Sequence, residues 1–439
     1  MSSYTFINWF GKIPSNWQLS PLKMITKGFV SDGPHETPIF YDNGVPFLSI
    51  DSIQDNKLVF ENTRFISEED HLRYSNKCKP RKNDVLLGKA ASVGKVAFVD
   101  TDIEFNVWSP LAVIRPPCEA LGKFIYYSFQ SLPVQSQCTV KSNTNTQNNL
   151  GMGDINNLIL PDVDEKTAAN IVYYLDFETN KIDSLISEKQ VFINLLKEKR
   201  QALISHFVTK GLDPNVPMKD SGVEWIGEVP ENWGVPKIAY IYPTLGSGTT
   251  PKSDNEDYYG GHTHWVTTGE LREAEITATK KTVSDLALAE HSALKKHQPD
   301  SVVMAMYGAT IGRVGILKIE ATTNQACCVF PPSSRMLSGF LYFWLMGYRE
   351  EIVNLGYGGG QPNISMGTVS ALKIPTPSIS EQELILERIQ KETLTLNELL
   401  SETEKSIELL HEHRTALISA AVTGKIDVRG MVDAKGDSV

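Results

Sequence analysis

Apolar positions follow two rhythms that alternate along the chain. Residues 166–208 hold neither Gly nor Pro; Ala168, Leu175, Ile182, Leu196 and Leu203 fall on one heptad position, and Ile171, Leu185 and Phe192 on the d position. Residues 380–422 repeat the pattern, with Ile389, Leu396, Leu410 and Leu417 on the equivalent position and Ile385 and Leu399 beside them. This spacing predicts two long amphipathic helices of coiled-coil type. Leu160-Pro161-Asp162 marks the start of the first, Ser380 with Glu383 fits a capping box for the second, and Gly211 and Gly424 end them. So long an apolar stripe is unstable in water, and the chain supplies one equivalent partner. The helices are therefore predicted to pack on each other, antiparallel about a pseudo-two-fold axis, rather than each on its own body.

Ahead of each helix the rhythm is shorter. Val85-Leu86-Leu87, Val96-Ala97-Phe98-Val99 and Ser301-Val302-Val303-Met304, set among Gly, Pro and Asn, predict strands joined by turns. These stretches are two copies of one plan. Ile13-Pro14-Ser15-Asn16-Trp17 returns as Val229-Pro230-Glu231-Asn232-Trp233, Thr37-Pro38 as Thr250-Pro251, and Ala91-Ser92-Val93-Gly94-Lys95 as Ala309-Thr310-Ile311-Gly312-Arg313. Gln147-Asn148-Asn149 returns as Gln361-Pro362-Asn363, and Arg200-Gln201-Ala202-Leu203-Ile204-Ser205 as Arg414-Thr415-Ala416-Leu417-Ile418-Ser419. The same alignment pairs Asn106 with Asn324 and Lys89 with Tyr307.

With 41% apolar and 21% charged residues, the 439-residue chain has material for several cores and reads as soluble and globular. No run approaches a membrane span and Met1-Ser2-Ser3-Tyr4-Thr5 lacks a signal-peptide pattern, which predicts a cytoplasmic location and no membrane partner. Five cysteines without a C-x-x-C argue against a disulfide framework or a cysteine zinc site. A net charge of -10 argues against a nucleic-acid partner for the chain as a whole. Residues 71–95 depart from that average, with Arg73, Lys77, Lys79, Arg81, Lys82, Lys89 and Lys95 against Asp84 alone.

Catalytic constellations are missing from the pattern. Gly246-Ser247-Gly248-Thr249-Thr250-Pro251 has Pro where a phosphate loop needs its second glycine. His262 and His264 have no acidic or cysteine cluster to complete a metal site, so no metal is expected. No Asn-Pro-Pro-aromatic or Asp-Pro-Pro-Tyr tetrapeptide of an amino-group DNA methyltransferase occurs. What remains is a duplicated binding inventory. Ser92 with Lys95, and Thr310 with Arg313, sit on glycine turns that offer hydroxyl, cation and backbone N–H to a phosphate. Gln147, Asn149, Gln361 and Asn363 carry amides able to read adenine or to tie down a loop. Recurrence in both copies favours the structural role for these. The unrepeated Lys77, Lys79, Arg81, Lys82 and Lys89, and Tyr307 in the other copy, are the better candidates for DNA contact.

Together, the Ile/Val-Pro-x-Asn-Trp pair, Trp265-x-x-x-Gly269-x-Leu271, Thr310-Ile311-Gly312-Arg313, Asn324-Gln325, Gln361-x-Asn363-Ile364-x-Met366-Gly367 and the Arg-x-Ala-Leu-Ile-Ser helix ends resemble the specificity subunits of Type I restriction-modification systems, from about Trp9 to Asp427. The first copy departs from the pattern, with Phe47 for Trp265, Ser52 for Glu270 and Val107 for Gln325. The resemblance implies an α+β fold with two mixed α/β target recognition domains, 1–162 and 213–378, each followed by a spacer helix, 163–212 and 379–427, and a flexible tail, 428–439. Each domain would read half of a split, non-palindromic target in double-stranded DNA. The helices, through Leu175, Ile182, Leu185, Leu196, Leu203, Ile389, Leu396, Leu399, Leu410 and Leu417, would pair and dock two methyltransferase (modification) subunits, which restriction (translocase-endonuclease) subunits join. The chain itself would be non-catalytic and bind no cofactor; S-adenosylmethionine, ATP and magnesium would sit on the partner subunits. The rival readings are a fused methyltransferase-endonuclease and a coiled-coil scaffold with two protein-binding heads.

Overall fold

Val85–Gly88 is buried at every position, as a strand covered on both faces must be. In the computed structural model, which describes residues 9–142, 148–356 and 363–428, it lies inside a four-stranded antiparallel sheet ordered Ser31–Asp32, Leu111–Ile114, Val85–Gly88, Val96–Phe98. Val85 and Leu87 enter one core with Ala112 and Ile114, and Leu86 enters another with Val113. A second sheet orders Arg64–Ile66, Val45–Leu48 and Asn106–Val107, the last two parallel. Helices Glu119–Gln130 and Leu132–Lys141 close the first core through Ile125, Phe129 and Val134.

The described residues fall into two compact units, Met1–Lys189 with Lys405–Val439, and Gln190–Glu404. The second unit repeats the plan of the first. One sheet runs Ala274–Ile276, Val314–Leu317, Val302–Ala305, Cys327–Phe330, and another Thr282–Val283, Tyr259–Val266, Ala321–Thr323 with its last pair again parallel. Cys327 and Cys328, adjacent in sequence, enter opposite cores, and burial pushes both thiols up to about 12. Helix Ser338–Gly347 escapes sequence prediction because its residues are apolar on every side and show no period.

Backbone pairing corrects the alignment of the two copies. Gly88 pairs with Leu111 and Ala305 with Cys327, while the turn amides of Gly94 and Gly312 return to Gly88 and Ala305 respectively. The second turn is thus one residue longer. Lys89 corresponds to Met306, and Ala90, which bridges to Asn149, corresponds to Tyr307, which bridges to Asn363. Trp108 N–H donates to the Leu48 carbonyl as Asn324 N–H does to Val266, so Asn324 corresponds to Trp108 and Asn106 lies within a strand.

The long helices span Glu165–Lys210 and Ile379–Val422. The first is capped by Asp164, whose carboxylate accepts from Thr167 N–H at 2.8 Å; Asp162 instead ends a strand paired with Gln18–Pro21. Ser378, rather than Ser380, caps the second by accepting from Glu381 N–H at 3.3 Å. Gly211 at φ +74° and Gly424 at φ +68° end them as predicted, each with the Trp of an Ile/Val-Pro-x-Asn-Trp motif, Trp233 or Trp17, against it.

Within the first unit Ala168, Ile171 and Leu175 pack with Ile418, Ala421 and Val422. Within the second, Ile204 and Val208 share a core with Ile385 and Ile389. In each unit the two helical segments run antiparallel, as expected. Half of the predicted seam is displaced, however. Leu185, Phe192 and Leu399 are exposed by 41%, 45% and 38%, while Thr179, Ile193, Thr393 and Leu400 are buried. Ile171 and Ile385 of the predicted second line are buried, but beyond them that line falls one residue later, at Thr179 and Ile193 and at Thr393 and Leu400. Threonines hide it in the sequence: Thr179 and Thr393 satisfy their hydroxyls on the Leu175 and Ile389 carbonyls of their own helix, at 2.6 and 2.7 Å. Ile182, Leu196, Ile389 and Leu396 are buried, and Leu203, Leu410 and Leu417 half-buried.

Candidate nucleic-acid interface

The sheet ends at Gly88 and Ala305 converge, in each unit, with a turn, an amide-bearing loop and a close-packed glycine. Gly33 and Gly248 admit no side chain, since a Cβ would lie 1.7 Å from the Val107 carbonyl oxygen or 1.6 Å from that of Thr323. Gly33, not singled out from the sequence, and Gly248, named there only within the rejected phosphate loop, bring their loops onto the strand that leads to the sheet edge. Their common place in the two copies was the available signal.

Neither turn offers a phosphate cradle. Gly94 N–H donates to the Gly88 carbonyl at 2.9 Å and Gly312 N–H to Ala305 at 2.8 Å, while Arg313 N–H donates to the Thr310 carbonyl at 3.0 Å. Ser92 N–H is likewise taken by the Ala90 carbonyl. The amides of Ser92, Gly94, Gly312 and Arg313 are thus spent inside the hairpins. Lys95 is exposed, its Nζ 3.4 Å from the Ile53 carbonyl. Arg313 is engaged by Glu273, a residue held at φ +53°, through Nε to Oε1 at 2.8 Å, and this partner holds the guanidinium pKa above its usual value. Arg349 clasps the Ile311 carbonyl of the same turn at 3.0 Å. Thr310 is half-buried, and Asn149 and Asn363 are exposed beside the sheet edges. Gln147 and Gln361 lie outside the described residues.

The basic stretch resolves into pairs. Asp32 accepts from Lys77 at 2.8 Å and lies 3.1 Å from Lys89, with His35 at 3.4 Å. Burial alone would raise the Asp32 carboxyl, but hydrogen bonds from Lys77 and Lys89 outweigh it and hold the pKa below the ordinary value. Lys89 is therefore a buried, paired ammonium at the position of Met306. Lys79 pairs with Glu104 at 2.7 Å and Lys82 with Asp102 at 2.8 Å, both on the surface. Arg81 is exposed, and its N–H donates to Asp84, which also holds Arg115. Asp32, Glu104 and Asp102 were missed because they lie far from the lysines in sequence.

The second unit fills the same place with neutral groups. Thr250 donates to the Gln325 side-chain oxygen at 2.6 Å, Ser247 reaches the Gln325 carbonyl at 3.4 Å, and the pKa of the Tyr307 hydroxyl is raised by burial. One scaffold thus presents a charged set, Asp32, Lys77, Lys89 and His35, in one unit, and an amide and hydroxyl set in the other. Among the described residues no group of three or more His, Cys, Asp or Glu side chains could hold a metal, and no helix is long and apolar enough to cross a membrane.

The family described as the Type I restriction modification DNA specificity domain matches residues 14–190 and 230–409. The MjaIX specificity subunit of Methanocaldococcus jannaschii is 30% identical over 165 residues, 36% of this chain and 38% of that protein. The putative MjaX specificity subunit of the same organism is 22% identical over 439 aligned positions, covering 95% of this chain and 96% of that one. The EcoKI specificity subunit of Escherichia coli K12 is 25% identical across 46% of this chain and 44% of its own. A solved chain from work on complex assembly and conformational transition of the type I R-M system shares the fold, with a TM-score of 0.71 at 14% identity over 94% of this chain and 100% of that chain. Two matched segments, each covering most of one body and the start of the helix behind it, show that this chain belongs to the family of DNA specificity subunits of Type I restriction-modification systems.

Proposed function

We propose that the chain reads a bipartite, non-palindromic target in double-stranded DNA for a Type I complex in the prokaryotic cytoplasm. Residues 1–162 and 213–378 read one half-site each, and the helices of 163–212 and 379–427 space the two and dock two modification subunits, to which restriction subunits add. S-adenosylmethionine, ATP and magnesium then belong to the partners. The observation that carries this reading is the unlike filling of one place in two like scaffolds: a lysine–aspartate cluster around Asp32 against an amide–hydroxyl cluster around Gln325. A repeated fold with identical readers would select a palindrome, whereas unlike polar sets select unlike half-sites. Within the first domain Lys79, Arg81, Lys82 and Lys95 serve as backbone contacts; Lys77 and Lys89 act through Asp32. In the second, Tyr307, Thr310 and Asn363 are the candidates nearest the sheet edge, with Asn149 their counterpart in the first.

The test is to map methylated positions in DNA from cells carrying this chain with its partner subunits. Two short, different blocks separated by a fixed gap are expected. A palindromic or continuous motif would overturn the reading.

A further inference from the structure

Beside the charged cluster of the first unit lies a cavity of about 340 Å³, within the size range of small-molecule sites. Three aromatic rings border it: Phe47 at its base, 6.1 Å centroid to centroid from Phe40 and 6.3 Å from Trp108. Phe40 and Trp108 are tilted by 53° and 46° to the Phe47 ring. Arg64 lies 4.7 Å over the Phe40 ring. The hydroxyl of Thr63, another lining residue, is buried without a hydrogen-bond partner. The cavity adjoins the candidate interface directly, because the carbonyl of its lining residue Pro110 accepts the Lys89 N–H at 2.9 Å. Lys95 reaches the carbonyl of Ile53, between the lining residues Ser52 and Gln54.

Trp108 is not a demand of the shared scaffold, since the second unit carries Asn324 at that position. A half-open aromatic slot with a stacked guanidinium, the polar side chains of Ser49, Ser52, Gln54 and Asn62, the carboxylates Asp51 and Glu61, and the Lys95 ammonium near its rim is matched to a flat, hydrogen-bonding ring. We propose that this cavity receives one nucleobase unstacked from the DNA of the first half-site, stacking it against Trp108 with the Arg64 guanidinium, itself packed on Phe40, at its edge. The inference rests on the reading of the chain as a DNA specificity subunit. Taking a base out of the stack has a cost that such a slot can offset, and its selectivity would come from the groups that line it.

The experiment uses the chain assembled with its modification subunits and duplexes carrying the mapped target, in which each nucleotide in turn is abasic or replaced by 2-aminopurine. At one position of the first half-site other than the methylated base, which the modification subunit itself extrudes, 2-aminopurine fluorescence should rise on binding. Trp108→Ala and, separately, Arg64→Ala should abolish that rise and weaken target binding roughly 5- to 100-fold, the range that one stacked base carries. An abasic site at that position should weaken the wild-type complex and leave the Trp108→Ala complex unaffected. Retained dependence on the second half-site certifies that both variants are folded. If the wild-type complex binds its bipartite target yet no position apart from the methylated base brightens, and the abasic scan shows no coupling to Trp108 or Arg64, the cavity does not hold a base. If the complex reads no bipartite target at all, the specificity-subunit reading has failed instead.

Discussion

Asp32 decides what the basic stretch of the first unit can do. Its carboxylate and the Lys89 side chain are exposed by only 9% and 10%, so Asp32→Asn leaves a buried ammonium without its counter-charge. A loss of about 3–5 kcal/mol in urea unfolding is expected at neutral pH. The folded carboxyl titrates below 3.8, its unfolded value, so its contribution is complete above that value and fades as pH falls through the folded pKa. The gap between wild type and variant should therefore shrink in acid and not in base. Lys82 is different, being exposed by 50% and paired to an Asp102 exposed by 82%; such a pair adds little stability. If Lys82 meets a phosphate, Lys82→Ala should lower the slope of log affinity against log salt by about 0.9, and Asp102→Asn should strengthen binding on every sequence. Unchanged affinity in both variants would place Lys82 away from the DNA.

The long helices show how far a period can be trusted. The lines through Leu175 and Leu396 were legible, as were Ile171 and Ile385 on the second line, but that line was carried on to Leu185, Phe192 and Leu399 when Thr179, Ile193 and Leu400 hold it. Leu400→Ala should cost about 2–5 kcal/mol in thermal or urea unfolding and Leu399→Ala less than about 1 kcal/mol, although the two are neighbours. Equal costs would contradict the seam described here. The repeat also reaches the polar pairs. Arg414 pairs with Asp183 at 2.8 Å in the first unit, and Arg200 donates to Asn397 at 3.1 Å in the second. Asn397→Asp converts the neutral partner into its counterpart and should raise stability by about 0.2–1 kcal/mol, an increment that high salt removes.

For the whole molecule, the spacing role proposed for the helices has a metric consequence. One extra heptad in each, after Lys189 and after Glu404, keeps the seam in phase and adds about 10.5 Å at about 1.5 Å per residue. At about 3.4 Å per base pair, the required gap between half-sites should grow by about three base pairs while both half-site sequences stay the same. Methylation mapping of the variant reads both quantities. An unchanged gap, or an altered half-site, would mean that the helices are not the spacer.

The duplication, the two long helices with their glycine ends, and the family itself were decided by the sequence alone, because each rests on order and period, which survive in one dimension. Only tertiary structure decided which residues are equivalent across the copies. A one-residue difference in a turn is silent in an ungapped match, yet it moves Lys89 from opposite Tyr307 to opposite Met306, and a connection two residues shorter between Val314–Leu317 and Ala321–Thr323 than between Val96–Phe98 and Asn106–Val107 moves Asn324 from opposite Asn106 to opposite Trp108. Tertiary structure also decided which charges are free. Lys77 and Lys89 share Asp32, and Arg313 meets Glu273 across 40 residues of chain. An ion pair is a matter of a few ångströms in space, and no rule of spacing along the chain contains that distance.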